Sequence, residues 1–180
     1  MGSDLVLFST GKDIGAPNDT GIILGRHRLV ETCMRLGPHS REIVNSKPVD
    51  YIGRPMKTGK EDILAAVVAL RNYFSTDHDR RQKEWEKKIQ YLISELSKCD
   101  RVRVKRVQPS YDHPRPVSIR RVELEFRDRF IADELSGKLR AGDPPIYAYV
   151  MRGKLYLNPQ CLRRGEEKII ASRIAEILST

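Results

Sequence analysis

The residue with the clearest capacity for covalent chemistry is Lys12. It lies in Ser9-Thr10-Gly11-Lys12-Asp13-Ile14-Gly15-Ala16-Pro17-Asn18-Asp19, a stretch dense in turn formers that directly follows the apolar run Leu5-Val6-Leu7-Phe8. A lysine on such a loop loses its proton readily when partly desolvated, and its amine can then form an imine with an aldehyde cofactor. Ser9 and the neighbouring backbone amides could hold a phosphate group beside it. An ordinary strand-loop lysine has the same local pattern, so the residues alone leave both readings open. A nucleotide-binding loop fits worse, because Lys12 is followed by Asp13 where that motif needs Ser or Thr, and Gly59-Lys60-Glu61 fails in the same way. A second group of cations, Arg54, Lys57 and Lys60, lies in the Gly- and Pro-stiffened stretch Ile52-Gly53-Arg54-Pro55-Met56-Lys57-Thr58-Gly59-Lys60. Such cations are either solvated surface charges or fixed ligands for an anion. The histidines, His27, His39, His78 and His113, have no metal-ligand spacing and read as surface residues, so no metal site is expected.

These side chains sit in a chain of 180 residues with a formal net charge of +9, enough length to bury a real core as one domain or as a large piece of a bigger one. No apolar run nears the roughly 20 residues a bilayer span needs, and the first residues lack a secretory leader. Cys33, Cys99 and Cys161 are odd in number and widely spaced, which reads as free thiols in a reducing compartment and gives the cytoplasm as the expected address. The densest basic stretch is 101–121, with Arg101, Arg103, Lys105, Arg106, Arg115, Arg120 and Arg121. Val102, Val104 and Val107 interleave with its first cations, the pattern of a strand with one solvated face. Attraction for an anionic substrate or RNA is the other reading of the same charges.

The elements follow from periodicity. Leu5-Val6-Leu7-Phe8 reads as a parallel strand covered on both faces, and Gly21-Ile22-Ile23-Leu24-Gly25 as a second buried strand. A short helix is expected over 28–36, with Leu29, Cys33 and Leu36 on one side. Residues 37–60, punctuated by Gly37, Pro38, Pro48, Gly53, Pro55 and Gly59, read as an extended loop. From Glu61 the period becomes helical through Ile63, Val67, Leu70 and Phe74. Ser75-Thr76-Asp77 is expected to cap a second helix whose apolar stripe is Trp85, Ile89, Leu92, Ile93 and Leu96. Strands follow between 101 and 126, then a helix through Ile131, Leu135 and Leu139. A hairpin turning at Arg152-Gly153 and a last helix with Ile170, Ile174, Ile177 and Leu178 complete a β-α-β-β-α module.

The stretch from Asp4 to Gly25, Asp-Leu-Val-Leu-Phe-Ser-Thr-Gly-Lys-Asp-Ile-Gly-Ala-Pro-Asn-Asp-Thr-Gly-Ile-Ile-Leu-Gly, resembles the pyridoxal-phosphate lysine segment of fold-type I enzymes. It is most similar to the branch holding bacterial selenocysteine synthase (L-seryl-tRNA selenium transferase) and D-glucosaminate-6-phosphate ammonia-lyase. Three further segments resemble that branch in the right order: 52–61 its basic active-site loop, and Asp143-Pro144-Pro145-Ile146 and Leu157-Asn158-Pro159-Gln160-Cys161-Leu162 with Gly165-Glu166-Glu167 its small domain. The resemblance implies an α/β protein: the C-terminal part of a fold-type I (aspartate-aminotransferase-like) large domain, connecting helices, and an α+β small domain. By it, 1–60 end the cofactor-binding domain, 61–99 are connecting helices and 100–180 form the small domain. It also implies pyridoxal 5'-phosphate as cofactor, Lys12 as the residue that carries it and moves the proton at the substrate α-carbon, and Ser9 as a holder of its phosphate. Arg54 and Lys57, together with Lys60, would bind an anionic group of a small-molecule substrate.

Departures from the branch sharpen the expectation. The selenocysteine-synthase side carries Arg where Tyr149 and Gln160 stand here, which leans the chain toward the ammonia-lyase side and leaves tRNA a disfavoured partner. Subunits of the class are about twice as long, and nothing before Lys12 supplies the phosphate cup, the stacking ring or the Asp for the ring nitrogen. The expected activity is α,β-elimination of ammonia from an anionic amino acid or amino-sugar acid by a C-terminal half that is inactive alone. It would work as a homo-oligomer or with a complementing N-terminal half. The alternatives are selenium transfer or another β-replacement on seryl-tRNA, and a non-catalytic basic module that binds RNA or a partner chain.

Overall fold

The computed structural model describes residues 2–38, 41–44, 46–50, 52–53, 55–108, 119–128 and 130–179. The chain divides into two compact units, Met1–Thr76 and Asp77–Thr180. No helix among the described residues is long and apolar enough to cross a membrane.

The first unit begins with a hairpin of β1 (Leu5–Ser9) and β2 (Gly21–Gly25), paired antiparallel from Leu5↔Gly25 to Ser9↔Gly21. This corrects the parallel, doubly covered strand expected for the apolar run. The link over 10–20 folds back on itself, and a parallel return needs a crossover of a dozen residues or more. Nor are the strands covered: Leu7 is 63% exposed and Leu24 53%, with Val6, Phe8 and Ile23 exposed as well. Gly25 is required where the hairpin opens, since a Cβ there would stand 2.4 Å from the Asp4 carbonyl oxygen. The Arg26 N–H donates to that same carbonyl, and the Arg26 side chain pairs with Asp4 at 2.6 Å.

α1 (His27–Leu36) follows. The expected loop over 37–60 contains a second antiparallel hairpin, β3 (Arg41–Val44) with β4 (Lys47–Asp50), turning through Ser46 at φ 60°. Its two strands are both edges, which is why Pro48 is tolerated opposite Ile43. α2 (Lys60–Phe74) ends where the Ser75 and Thr76 hydroxyls donate back to the Arg71 and Asn72 carbonyls. It has no buried residue, although Ile63, Leu64, Val67 and Val68 form an apolar face along it.

The second unit starts with α3 (His78–Leu96), whose N-cap is Asp77, the last residue of the expected Ser-Thr-Asp cap. Its side chain accepts from the Arg80 N–H at 2.9 Å. β5 (Arg103–Val107), β6 (Arg121–Glu125), α4 (Phe130–Ala141), β7 (Tyr149–Met151), β8 (Lys154–Leu157) and α5 (Glu166–Ser179) complete it. The expected module is present, with its first strand region resolved into the pair β5 and β6. The strands form one antiparallel sheet in the order β5-β6-β8-β7. The β7–β8 turn is Arg152-Gly153, both at positive φ (53° and 72°), the geometry that suits the twist of a two-residue hairpin. Ile89, Leu92 and Leu96 of α3 pack with Leu135 and Leu139 of α4 and Ile174 of α5. Val122, Leu124, Leu155 and Leu157 of the sheet close this core. Strand alternation then places Arg121, Glu123 and Tyr156 on the opposite sheet face.

Candidate functional site

The loop between β1 and β2 is held from inside, which gives Lys12 a defined place. The Thr10 N–H donates to the Thr20 carbonyl (3.1 Å), Ala16 N–H to the Thr10 carbonyl (3.0 Å), and Gly15 N–H to the Lys12 carbonyl (3.1 Å). Thr10 is fully buried, and its hydroxyl meets that of Thr20 at 2.5 Å. Since the Thr20 hydroxyl donates to the Pro17 carbonyl at 2.6 Å, the proton between the two threonines belongs to Thr10. Gly11 lies so close to the other limb of the loop that a Cβ would stand 2.7 Å from the Asn18 Cα, and Gly15 has φ +78°. A tight, internally bonded loop therefore carries an exposed Lys12. Ser9, the last residue of β1, is exposed as well.

Among the predicted anion ligands, Arg54 lies outside the described residues. Lys57 and Lys60 are exposed, in the segment leading into α2 and at the first residue of that helix. The segment is pinned to the end of α1: Gly53 N–H donates to the Leu36 carbonyl at 3.2 Å, and a Cβ on Gly53 would lie 2.7 Å from that oxygen. Among the described residues the side chains of Ser9, Lys12, Lys57 and Lys60 form no hydrogen bond or ion pair. Ser9 and Lys12 thus share one loop, Lys57 and Lys60 share a second segment of the same unit, and no side-chain interaction joins the two.

The donor set offered to a pyridoxal phosphate is an exposed lysine amine and a nearby hydroxyl, the types that hold an aldehyde and a phosphate. Asp4 is not a partner for the ring nitrogen, because it is committed to Arg26. This part of the fit is favourable, and it is confined to the amine and the hydroxyl.

Three cations of the basic stretch of the second unit are paired with carboxylates. Glu86 pairs with Arg106 at 2.7 Å and with Arg120 at 3.4 Å, and Lys105 pairs with Glu125 at 2.8 Å. Lys154 reaches both Glu123 and Glu125 (2.9 and 3.3 Å). The bonds from Lys105 and Lys154 hold the Glu125 carboxyl below its usual range, and the bond to Glu123 raises Lys154. Burial, and then the bond it donates to Glu123 at 2.9 Å, push Tyr156 up to about 12. Arg115 lies outside the described residues. Trp85, expected as part of an apolar stripe, is only half-buried. The Arg81 guanidinium lies 4.7 Å over its ring, at the edge of a groove of about 450 Å³ bounded by Glu86, Ile89, Ile119 and Arg120.

Tyr149, which stands where the resemblance expects Arg, is stacked on Tyr156 with ring centroids 4.9 Å apart. It accepts a hydrogen bond from the Arg121 guanidinium at 3.2 Å. In the sequence Arg121 reads only as one cation of a basic run. The alternation Arg121-Val122-Glu123-Leu124-Glu125 was the signal that set it on the polar sheet face.

No family model matches the chain. It is similar over nearly its whole length to three curated proteins. They are the 5'-C-glycyluridine monooxygenase-decarboxylase of a Streptomyces species (29% identical, 98% of this chain, 42% of the relative) and the D-glucosaminate-6-phosphate ammonia lyase of Salmonella typhimurium (27%, 98% and 44%). The third is the L-seryl-tRNA(Sec) selenium transferase of Aquifex aeolicus (24%, 99% and 39%). A solved structure of D-glucosaminate-6-phosphate ammonia-lyase superposes with a TM-score of 0.61 at 23% identity, covering 98% of this chain and 44% of that one, which speaks to the fold. The chain thus spans less than half the length of the curated relatives it matches. The chain is similar to members of the pyridoxal-phosphate-dependent branch of lyases and transferases that includes the ammonia lyase and the selenium transferase.

Proposed function

We propose that this chain is the C-terminal part of a fold-type I pyridoxal-phosphate lyase that eliminates ammonia from an anionic amino acid or amino-sugar acid. The observation that carries the reading is Lys12: an exposed amine on an internally bonded loop at the end of β1, within the segment that resembles the cofactor lysine. The cofactor, when bound, supplies an electron sink that makes the substrate α-proton removable. The Lys12 amine would hold the cofactor carbonyl carbon and, once displaced by the substrate amine, move the proton at the α-carbon. The Ser9 hydroxyl would donate to the cofactor phosphate. Arg54, Lys57 and Lys60 would attract the carboxylate or phosphate of the substrate.

Under this reading the chain is inactive alone. Its partner is either a segment that covers the open faces of the β1–β2 hairpin and of α2, or a second subunit. The open apolar side chains there, Leu7, Leu24, Leu64 and Val68 among them, support a covering partner. The place of work would be the cytoplasm. Seryl-tRNA chemistry is disfavoured by Tyr149 and Gln160, which stand where that side of the branch carries Arg.

The test is a titration with pyridoxal phosphate, borohydride reduction and peptide mapping, with Lys12→Ala as control. Labelling concentrated on Lys12, with an absorbance band that the control lacks, is the expected result. Labelling scattered over the lysines and equal in the control would overturn the reading.

A further inference from the structure

Among the described residues, the polar face of the second unit's sheet holds a charge that no carboxylate pairs with. Register places Lys105, Glu123, Tyr156 and Tyr149 side by side across the four strands. Both oxygens of Glu123 are used, one by Lys154 and one by the Tyr156 hydroxyl, each at 2.9 Å. Glu125 is shared between Lys105 and Lys154. Two carboxylates and two ammonium groups thus close on each other. Arg121, on the same strand and face as both glutamates, stays outside that exchange.

Arg121 is only 4% exposed. Its guanidinium spends one N–H on the Tyr149 hydroxyl and lies 5.8 Å from the centroid of that ring. Its Nε is buried with no hydrogen-bond partner, and no carboxylate among the described residues pairs with it. A guanidinium cannot shed its proton to escape burial as a lysine can. A buried charge lacking an opposite charge is a costly arrangement, and such groups concentrate at functional sites. The donors left over are Nε–H and the terminal N–H groups, a planar fork that matches two oxygens of one anion. The ring beside it, Tyr149, is half-buried and belongs to β7, a three-residue strand at the sheet edge.

We propose that Arg121 is an oxyanion-binding residue, taking a carboxylate or phosphoryl group on its Nε and terminal nitrogens, with Tyr149 as the wall that turns aside to admit it. The inference rests on the second unit alone and does not depend on the cofactor reading of Lys12.

The test measures thermal unfolding of the whole chain against rising inorganic phosphate and, separately, acetate, with chloride at matched ionic strength as the reference. The proteins are wild type, Arg121→Lys, Arg121→Met and, as a control from the exposed end of the same sheet, Arg103→Met. One of the two anions should raise the midpoint of wild type and of Arg103→Met beyond the chloride reference. Which anion does so distinguishes a phosphoryl from a carboxylate ligand. Arg121→Lys keeps the charge and loses the fork, so its apparent affinity should fall about tenfold, the worth of one charge-assisted hydrogen bond. Arg121→Met should lose the response and match or exceed wild type in chloride, because it removes a buried charge that no carboxylate among the described residues pairs with. An equal anion response in wild type and Arg121→Met, or none in wild type, would overturn the proposal. Should Arg121→Met fail to fold, the Nε–H resonance of Arg121 in wild type decides. It shifts on titration with the responding anion if the proposal holds, and stays fixed if it does not.

Discussion

Replacing Thr20 by Val tests whether the loop that presents Lys12 is held as described. The two side chains are nearly isosteric, so no cavity forms and the cost is confined to lost hydrogen bonds. Thr20 gives its proton to the Pro17 carbonyl and receives that of Thr10. Pro17 keeps the Thr20 backbone N–H at 3.2 Å, so its loss is partial. Thr10 is 0% exposed, so its hydroxyl proton is left with neither protein nor bulk water, a penalty of about 1–3 kcal/mol. Thr10→Val should cost less, about 0.5–1.5 kcal/mol, since Thr20 still donates to Pro17. In the double variant both buried hydroxyls are gone, so its cost should fall short of the sum of the singles. Native-state hydrogen exchange at Ala16 and Thr20, whose amides bond to the Thr10 and Pro17 carbonyls, reads the local opening free energy without requiring two-state unfolding. In Thr20→Val, protection at both should drop by about 5- to 150-fold, the equivalent of that penalty. Unchanged protection in Thr20→Val, or strict additivity in the double variant, would refute the claim that this pair holds the loop.

The two units should respond differently to truncation. Leu124→Ala, at a fully buried position of β6, should cost about 2–5 kcal/mol in urea unfolding. Val68→Ser on the open face of α2, where Val68 is 50% exposed, should stay within about 0.5 kcal/mol. Tyr156 gives a pH signature. Its phenol is pushed up to about 12 from an ordinary 10.0, so the folded state favours the neutral form. The contribution is whole below about pH 10 and lost as the pH climbs toward 12. Unfolding free energy across that window should fall less steeply in Tyr156→Phe than in wild type.

The second unit was the more legible half because it completes its own core. The stripe Ile89, Leu92 and Leu96, spaced for a helix, lies at 1%, 0% and 0% exposure, and the turn at Arg152-Gly153 stands where its residue types put it. In the first unit the same kind of reading failed where a nonlocal fact decides. A four-residue apolar run looks alike in a covered parallel strand and in a hairpin strand open on both faces. The length of the link and the Thr10–Thr20 contact settle the direction, and neither is a periodic signal. Over 37–60, turn formers outnumbered the strand signal of Arg41-Glu42-Ile43-Val44, and Pro48 argued against a strand that a two-stranded sheet permits. Arg121 was hidden for another reason: composition counts charges, whereas a charge left without a partner is a property of the paired set.

The contrast between the units bears on how the proposed site would work. Fourteen of the seventeen large apolar side chains that stand exposed among the described residues belong to residues 6–74, and three to the second unit. α2 carries Ile63, Leu64, Val67 and Val68 at about half exposure or more, one apolar face open to solvent. At about 25 cal/mol per Å² of apolar surface removed from water, covering one such side chain is worth on the order of 1 kcal/mol or more. A polypeptide seated on the hairpin and on α2 would gain that several times over. The loop carrying Lys12 is part of this open hairpin, so the contact that buries β1 and β2 would also desolvate the loop at its end. Desolvation disfavours a charged ammonium and favours the free amine that attacks an aldehyde. In the proposed enzyme, covering the hairpin and activating the lysine are then one event. Labelling of Lys12 by pyridoxal phosphate should accordingly rise when a complementing partner is added, and the Lys12→Ala control should not follow.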